Sequence, residues 1–203
     1  MKVSKSCLAP LIILLLTSCS GDQSSLSPLP VESTVLAFGD SLTEGYGATA
    51  QQSYPSVLQN LAVVNVINAG ISGELSASGL QRLPALLAEH TPSLVILCHG
   101  GNDLLRSTGN AAAKANILSM IELIQLSGAE VLLLGVPRPG LFLSTAEFYQ
   151  EIADETGVDY MPNTIGEVLG KANLKSDAAH PNAAGYQIIA SEINNYLLGA
   201  GAL

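Results

Sequence analysis

Val35-Leu36-Ala37-Phe38-Gly39-Asp40-Ser41-Leu42-Thr43-Glu44-Gly45-Tyr46-Gly47 is an apolar run that breaks into a glycine-rich turn with a serine near its head. An unbroken apolar run of this kind reads as a strand buried on both faces, which is the habit of parallel sheets. In an open α/β sheet the reactive crevice lies beyond the carboxyl ends of the strands, so Ser41 is held where a hydroxyl can meet a ligand. Further apolar runs fall at residues 63–67, 94–97 and 131–136, with a weaker one at 158–161. Helical patterns separate them at 54–61, 80–89, 111–126 and 145–155, and a last one over 183–198 follows Asn182, a good N-cap residue. Strands alternating with helices at this spacing predict an α/β domain with a mostly parallel sheet covered by helices on both faces.

Two other stretches carry chemistry. Gly100-Gly101-Asn102-Asp103 follows the third apolar run, and Asp177-Ala178-Ala179-His180-Pro181-Asn182 precedes the last helix. A serine hydroxyl is a poor nucleophile unless a base takes its proton. Of the three histidines, His90 ends an exposed helix and His99 ends a strand where it packs or bonds locally, which leaves His180 as the candidate base. Asp177 stands three residues before it in the same short loop and can hold the imidazole in the tautomer that accepts that proton. Asn102 can offer its side-chain amide to an oxyanion, with Gly100 and Gly101 allowing close approach of the backbone. Asp40 and Asp103 read as side chains that fix their own turns. Leu104, Leu105 and Arg106 after the Asn102 turn, and the stretch Pro137-Arg138-Pro139-Gly140-Leu141-Phe142-Leu143 after the fourth strand, with Leu141 and Phe142 as its pocket candidates, fall on the same edge of the sheet and read as a substrate pocket. No spaced set of His or Cys ligands suggests a metal.

The N-terminus has a different character. Lys2 and Lys5 precede an apolar core over residues 8–16, and Leu16-Thr17-Ser18-Cys19 closes it. That is the pattern of a secretion signal, too short for a comfortable membrane span of about 20 residues. The small residues before Cys19 resemble a bacterial lipobox, which implies cleavage after residue 18 and lipidation of Cys19. The expected organisation is a signal over 1–18, a disordered Ser-, Pro- and Gly-rich tether over 19–32 and one domain over 33–203. Cys7 leaves with the signal and Cys19 takes lipid, so Cys98 has no partner and reads as a small buried thiol. The chain carries 8 basic and 17 acidic residues, a net −9, and loss of Lys2 and Lys5 leaves 6 against 17, a net −11. Such acidity argues against nucleic acid as a partner and leaves membrane attachment to the acyl chains. The expected setting is a bacterial cell envelope, at the outer membrane or periplasmic face if the source is Gram-negative.

Four blocks together resemble one family. Phe38-Gly39-Asp40-Ser41-Leu42 to Gly47, Asn68-Ala69-Gly70-Ile71-Ser72-Gly73-Glu74, Gly100-Gly101-Asn102-Asp103 and Asp177 to Asn182 stand in the order found in the GDSL, or SGNH, serine hydrolases. Within that family the chain is most similar to the small secreted thioesterase, lysophospholipase and arylesterase branch. The resemblance implies a three-layer, flavodoxin-like α/β/α fold with five parallel strands in the order 2-1-3-4-5. It also implies a catalytic triad of Ser41, Asp177 and His180. The oxyanion hole would combine the backbone amides of Ser41 and Gly73 with the side chain of Asn102. The expected activity is hydrolysis of carboxylic esters, including acyl and aryl esters, lysophospholipids and acyl thioesters, by a monomer that needs no cofactor. Three other readings stay open. A polysaccharide or peptidoglycan O-acetyl esterase would use the same site with a shallower groove. An aspartyl-phosphate enzyme with Asp40 as nucleophile wants a second Asp two residues on, where Leu42 stands. A binding module or non-enzymatic surface lipoprotein suits the fold and the anchor, but leaves the four blocks unexplained.

Overall fold

The computed structural model describes residues 26–203 apart from 63, 107, 108, 141 and 142, so the signal segment, Cys19, Leu141 and Phe142 lie outside the described residues. Five strands, β1 (Thr34–Gly39), β2 (Asn65–Gly70), β3 (Leu94–Cys98), β4 (Glu130–Leu134) and β5 (Asp159–Met161), form one parallel sheet in the order β2-β1-β3-β4-β5. Every residue of β3 is buried, as is all but the first of β1 and of β4, which is what an unbroken apolar run needs when both faces are covered. The edge strand β2 starts later than the apolar run at 63–67. Its ladder follows β1, pairing Leu36 with Ile67 and Gly39 with Gly70, and so draws Asn68, Ala69 and Gly70 into the strand. β4 ends at Leu134 rather than at residue 136: the Gly135 amide still reaches the Met161 carbonyl at 3.0 Å, but Pro137 has no N–H to continue a ladder.

The helices are α1 (Ser41–Glu44), α2 (Tyr54–Ala62), α3 (Ser76–His90), α4 (Gly101–Arg106), α5 (Asn110–Leu126), α6 (Glu147–Thr156), α7 (Thr164–Leu169) and α8 (Ala183–Gly199). They pack in two groups, α2 with α8 and α7, and α3 with α5 and α6. The long helices fall where the periodicity places them, and Asn182 caps α8 by accepting the Gly185 amide at 3.1 Å. The short helices α1, α4 and α7 have 4, 6 and 6 residues, too few to show a 3.6-residue period. Among the described residues no helix is long and apolar enough to cross a membrane.

The tether expected over 19–32 does not stay clear of the domain along its whole length. Leu26 is buried in the core, the Ser27 amide meets the Glu130 carboxylate at 3.0 and 3.1 Å, and the Leu29 amide donates to the Ala202 carbonyl at 2.8 Å. Leu26, buried, and Leu29, partly buried, are the apolar residues of this Ser- and Pro-rich stretch that pack on the core, and they draw that part of the chain onto the domain, whereas Val31 stays exposed.

The end of β2 lies hard against α1. A Cβ on Gly70 would stand 2.0 Å from the Glu44 amide nitrogen and 2.6 Å from its Cα, both backbone atoms with nowhere to go. Gly70→Ala is expected to destabilise the fold by about 1–3 kcal/mol through overpacking. Urea denaturation checks this, and an unchanged midpoint would contradict the close approach of α1 to β2.

Candidate active site

β1 and β3 are neighbours in register, with Gly39 opposite Cys98, so the segments that follow them leave the sheet at the same level. One delivers Asp40 and Ser41, the other His99 through Asn102. Asp40 caps α1, its Oδ1 accepting the Leu42 amide at 3.1 Å. Burial pushes the Asp40 carboxyl above its ordinary value, only partly offset by His99 and the Leu42 amide. Ser41 follows directly, and its Oγ lies 2.9 Å from His180 Nε2. His180 Nδ1 lies 2.8 and 2.9 Å from the two oxygens of Asp177. A carboxylate only accepts, so Nδ1 carries the proton and Nε2 is left to accept from the Ser41 hydroxyl.

The Asp177–His180 loop is built to hold that geometry. Lys175 and Pro181 form an antiparallel bridge at its base, and the Ser176 amide donates to the His180 carbonyl at 2.9 Å. Inside the loop Asp177 Oδ1 accepts the Ala179 amide at 2.8 Å and the His180 amide at 2.9 Å. Burial alone would raise the Asp177 carboxyl, but the Ala179 amide and the His180 ring outweigh it and hold it below its ordinary value. The ring of Tyr46 lies 4.6 Å from the imidazole at 47°, and its carbonyl accepts the Tyr186 hydroxyl at 2.8 Å.

Asn102 faces Ser41 from the first turn of α4. Its Nδ2 donates to the Glu74 carbonyl at 3.1 Å and, over a longer 3.3 Å, to Asp40 Oδ2. Gly73, at φ +75°, turns the chain between β2 and α3 in the left-handed region where glycine carries no steric penalty. Below this loop is an ion network. The Glu74 carboxylate takes Arg82 Nε at 2.8 Å, Arg82 Nη2 at 2.7 Å and His99 Nε2 at 3.1 Å. Arg82 Nη2 also donates to the carbonyls of Ala69 (2.8 Å) and Gly39 (3.2 Å), and its guanidinium lies 4.2 Å over the Phe38 ring. His99 Nδ1 accepts the Gly100 amide at 3.0 Å, which makes Nε2 the donor to Glu74. Burial alone would raise the Glu74 carboxyl, but the bonds from His99 and Arg82 prevail and hold it at about 2.

The substrate-pocket expectation divides. Leu105 lines the cleft that opens beside Ser41 and His180, together with Val136, Pro137, Arg138 and Leu143. Leu104 packs against the core instead, because α4 turns it inward. Arg106 donates to the Gly73 carbonyl at 3.1 Å and braces the loop rather than lining the cleft. Asp103 accepts the Ser76 amide at 2.9 Å and the Ser76 hydroxyl at 2.8 Å, anchoring the start of α3. Cys98 is buried at the end of β3. Among the described residues no three His, Cys, Asp or Glu side chains converge as they would on a metal ion. Pro137, Arg138 and Leu143 line the cleft as part of the stretch expected there after the fourth strand. The Glu74–Arg82–His99 network and the Tyr46 ring were not legible as site features, since their partners come from distant segments with no local spacing to mark them.

Glu74 gives a pH-dependent prediction. A carboxyl held at about 2, below its ordinary 4.5, contributes stability that is present above pH 4.5 and lost as pH falls toward 2. Its side chain is only 7% exposed, so solvent screening is small. Glu74→Gln should cost about 3 kcal/mol at pH 7, with the gap to wild type narrowing below pH 4.5. Urea unfolding across pH checks this; a gap that does not change with pH would contradict it.

The chain as a whole is similar to known proteins. The GDSL-like Lipase/Acylhydrolase family matches residues 37–188. The chain is 36% identical over 158 residues to an arylesterase of Vibrio mimicus, covering 72% of this chain and 79% of that protein. It is 33% identical over 165 residues to the thioesterase 1/protease 1/lysophospholipase L1 of Escherichia coli strain K12, covering 77% and 79%. Among solved structures, the psychrotrophic esterase EstA from a Pseudoalteromonas species superposes with a TM-score of 0.75 at 26% identity, covering 82% of this chain and 97% of that one. The chain belongs to the GDSL-like lipase/acylhydrolase family and is an SGNH-type esterase related to arylesterases and thioesterases.

Proposed function

We propose that the chain hydrolyses carboxylic esters through an acyl-enzyme on Ser41. The observation that carries this reading is the unbroken hydrogen-bonded chain Ser41 Oγ, His180 Nε2, His180 Nδ1, Asp177, with links of 2.8–2.9 Å. Ser41 Oγ attacks the carbonyl carbon as its proton passes to His180 Nε2, and Asp177 stabilises the imidazolium that forms. Negative charge gathers on the carbonyl oxygen, where the backbone amides of Ser41 and Gly73 and the side chain of Asn102 receive it. The 3.3 Å bond from Asn102 to Asp40 is the longer of its two, and it is the one an oxyanion replaces. Collapse expels the alcohol, which takes the proton from His180. Water then loses a proton to His180 and attacks the acyl-enzyme, releasing the acid and restoring Ser41.

The substrates that fit are acyl and aryl esters and lysophospholipids, with acyl thioesters as a secondary group, in keeping with relatives named arylesterase and thioesterase 1/protease 1/lysophospholipase L1. The cleft walls of Leu105, Val136, Pro137 and Leu143 suit an apolar arm. On p-nitrophenyl esters from acetyl to palmitoyl, Ser41→Ala and His180→Ala should each lose at least about 10³-fold in kcat. Asn102→Ala should cost about 3 kcal/mol in the barrier, roughly 100-fold in kcat, with little change in KM. Near wild-type turnover by folded Ser41→Ala would overturn the assignment.

For the setting, we place the enzyme in a bacterial cell envelope with Cys19 as its lipidated N-terminus, on the strength of the leader that precedes it. Metabolic labelling with a tagged fatty acid should mark the wild-type protein and not Cys19→Ala; equal labelling of both would refute the anchor.

A further inference from the structure

The cleft beside Ser41 holds a cation that the ester chemistry does not use. Arg138 lines it, carried by the segment between β4 and α6. That segment is pinned, with Pro137 bridged to Thr145 and the Arg138 amide donating to the Ser144 carbonyl at 2.9 Å. The side chain is only half satisfied. Its Nη2 meets Glu147 at 3.1 Å, but the Glu147 side chain is 87% exposed, so this is a surface pair of small worth. Its Nε is buried and has no hydrogen-bond partner. A buried N–H on a charged group is costly to leave unmet, and one of the few groups that meets Nε and a terminal nitrogen together is a planar carboxylate or a phosphate. Leu105, Val136, Pro137 and Leu143 supply apolar wall to the same cleft, while the Arg138 side chain as a whole is 42% exposed, so an ion pair formed there is only partly shielded from water. The chain as a whole carries a net −9, so nothing at long range draws an anion in and recognition has to rest on this local guanidinium.

We propose that Arg138 is a specificity-determining residue that selects esters bearing one carboxylate or phosphate on the arm seated in this cleft. The inference rests on the Ser41 esterase reading and narrows its substrate class. Binding of the anion displaces Glu147 from Nη2 and, with the guanidinium turned so that its covered Nε faces the cleft, completes that unmet donor, so Glu147 competes with the substrate.

The test compares kcat/KM for matched pairs that differ in one negative charge. Mono-p-nitrophenyl glutarate against p-nitrophenyl butyrate places the charge on the acyl arm. On the alcohol arm, 4-(butyryloxy)benzoate against phenyl butyrate tests a carboxylate, and 1-butyrylglycerol 3-phosphate against 1-butyrylglycerol tests a phosphate. Within a pair, the anionic-to-neutral ratio of each variant is divided by that of the wild type, which cancels intrinsic reactivity. For at least one pair Arg138→Met should lower the ratio tenfold or more, and Arg138→Lys should recover only part of it. Glu147→Gln should raise the same ratio about twofold or more, a gain that a folding defect does not produce. Ratios unchanged in every pair for both Arg138→Met and Glu147→Gln overturn the proposal while leaving the esterase reading intact. Absence of neutral-ester turnover in the wild type overturns the Ser41 reading and this proposal with it.

Discussion

β1 and β3 lie side by side at the centre of the sheet, with Gly39 held opposite Cys98, and the whole site depends on that pairing. Parallel strands about 4.8 Å apart emit their following loops from the same edge, and when the two central strands are fully buried their register has no freedom to slip. Ser41 and Asn102 are 61 positions apart in the chain, yet each stands two to four residues beyond the end of its strand. Under the proposed mechanism the burial of Leu36, Phe38, Ile96 and Leu97 is therefore a catalytic requirement as much as a structural one. It is what brings a hydroxyl and an amide to one point with no conformational search.

Around that pair the chain adds two supports of different physical kind. The His180 side is local: an Asx-like loop between Lys175 and Pro181 orients Asp177 and His180 through backbone amides, so the geometry survives even though Asp177 is 47% exposed. The Asn102 side is non-local and ionic. Glu74 gathers Arg82 and His99, and Arg82 reaches on to the carbonyls at the ends of β1 and β2, tying the Gly73 loop to the strands that carry Ser41. Buried charges contribute to stability only when each is paired and further hydrogen-bonded, and here they are.

Much of this was legible in the chain. The apolar runs marked the buried strands because covered strands are continuous in hydrophobicity, and Asp177 with His180 stood out because both sit in one short loop. The strand order could only be drawn from the resemblance, since periodicity carries no information on which strands are neighbours. What escaped notice did so for physical reasons. Asp103 anchors Ser76 in another helix, a contact that tertiary packing alone creates. The same holds for Glu74, Arg82 and His99, and for Leu104, whose facing depends on a six-residue helix too short to show a period. Leu26 and Leu29 read as part of a tether because flanking Ser and Pro dominate the composition, while one buried and one partly buried leucine are enough to hold the segment.

The central claim is that Ser41 is activated by His180, and covalent capture tests it most directly. After incubation with a fluorophosphonate, peptide mass analysis should find a single adduct on Ser41 in the wild-type protein, formed far more slowly in His180→Ala. An adduct on another residue, no adduct on folded protein, or equal labelling rates with and without His180 would contradict the account.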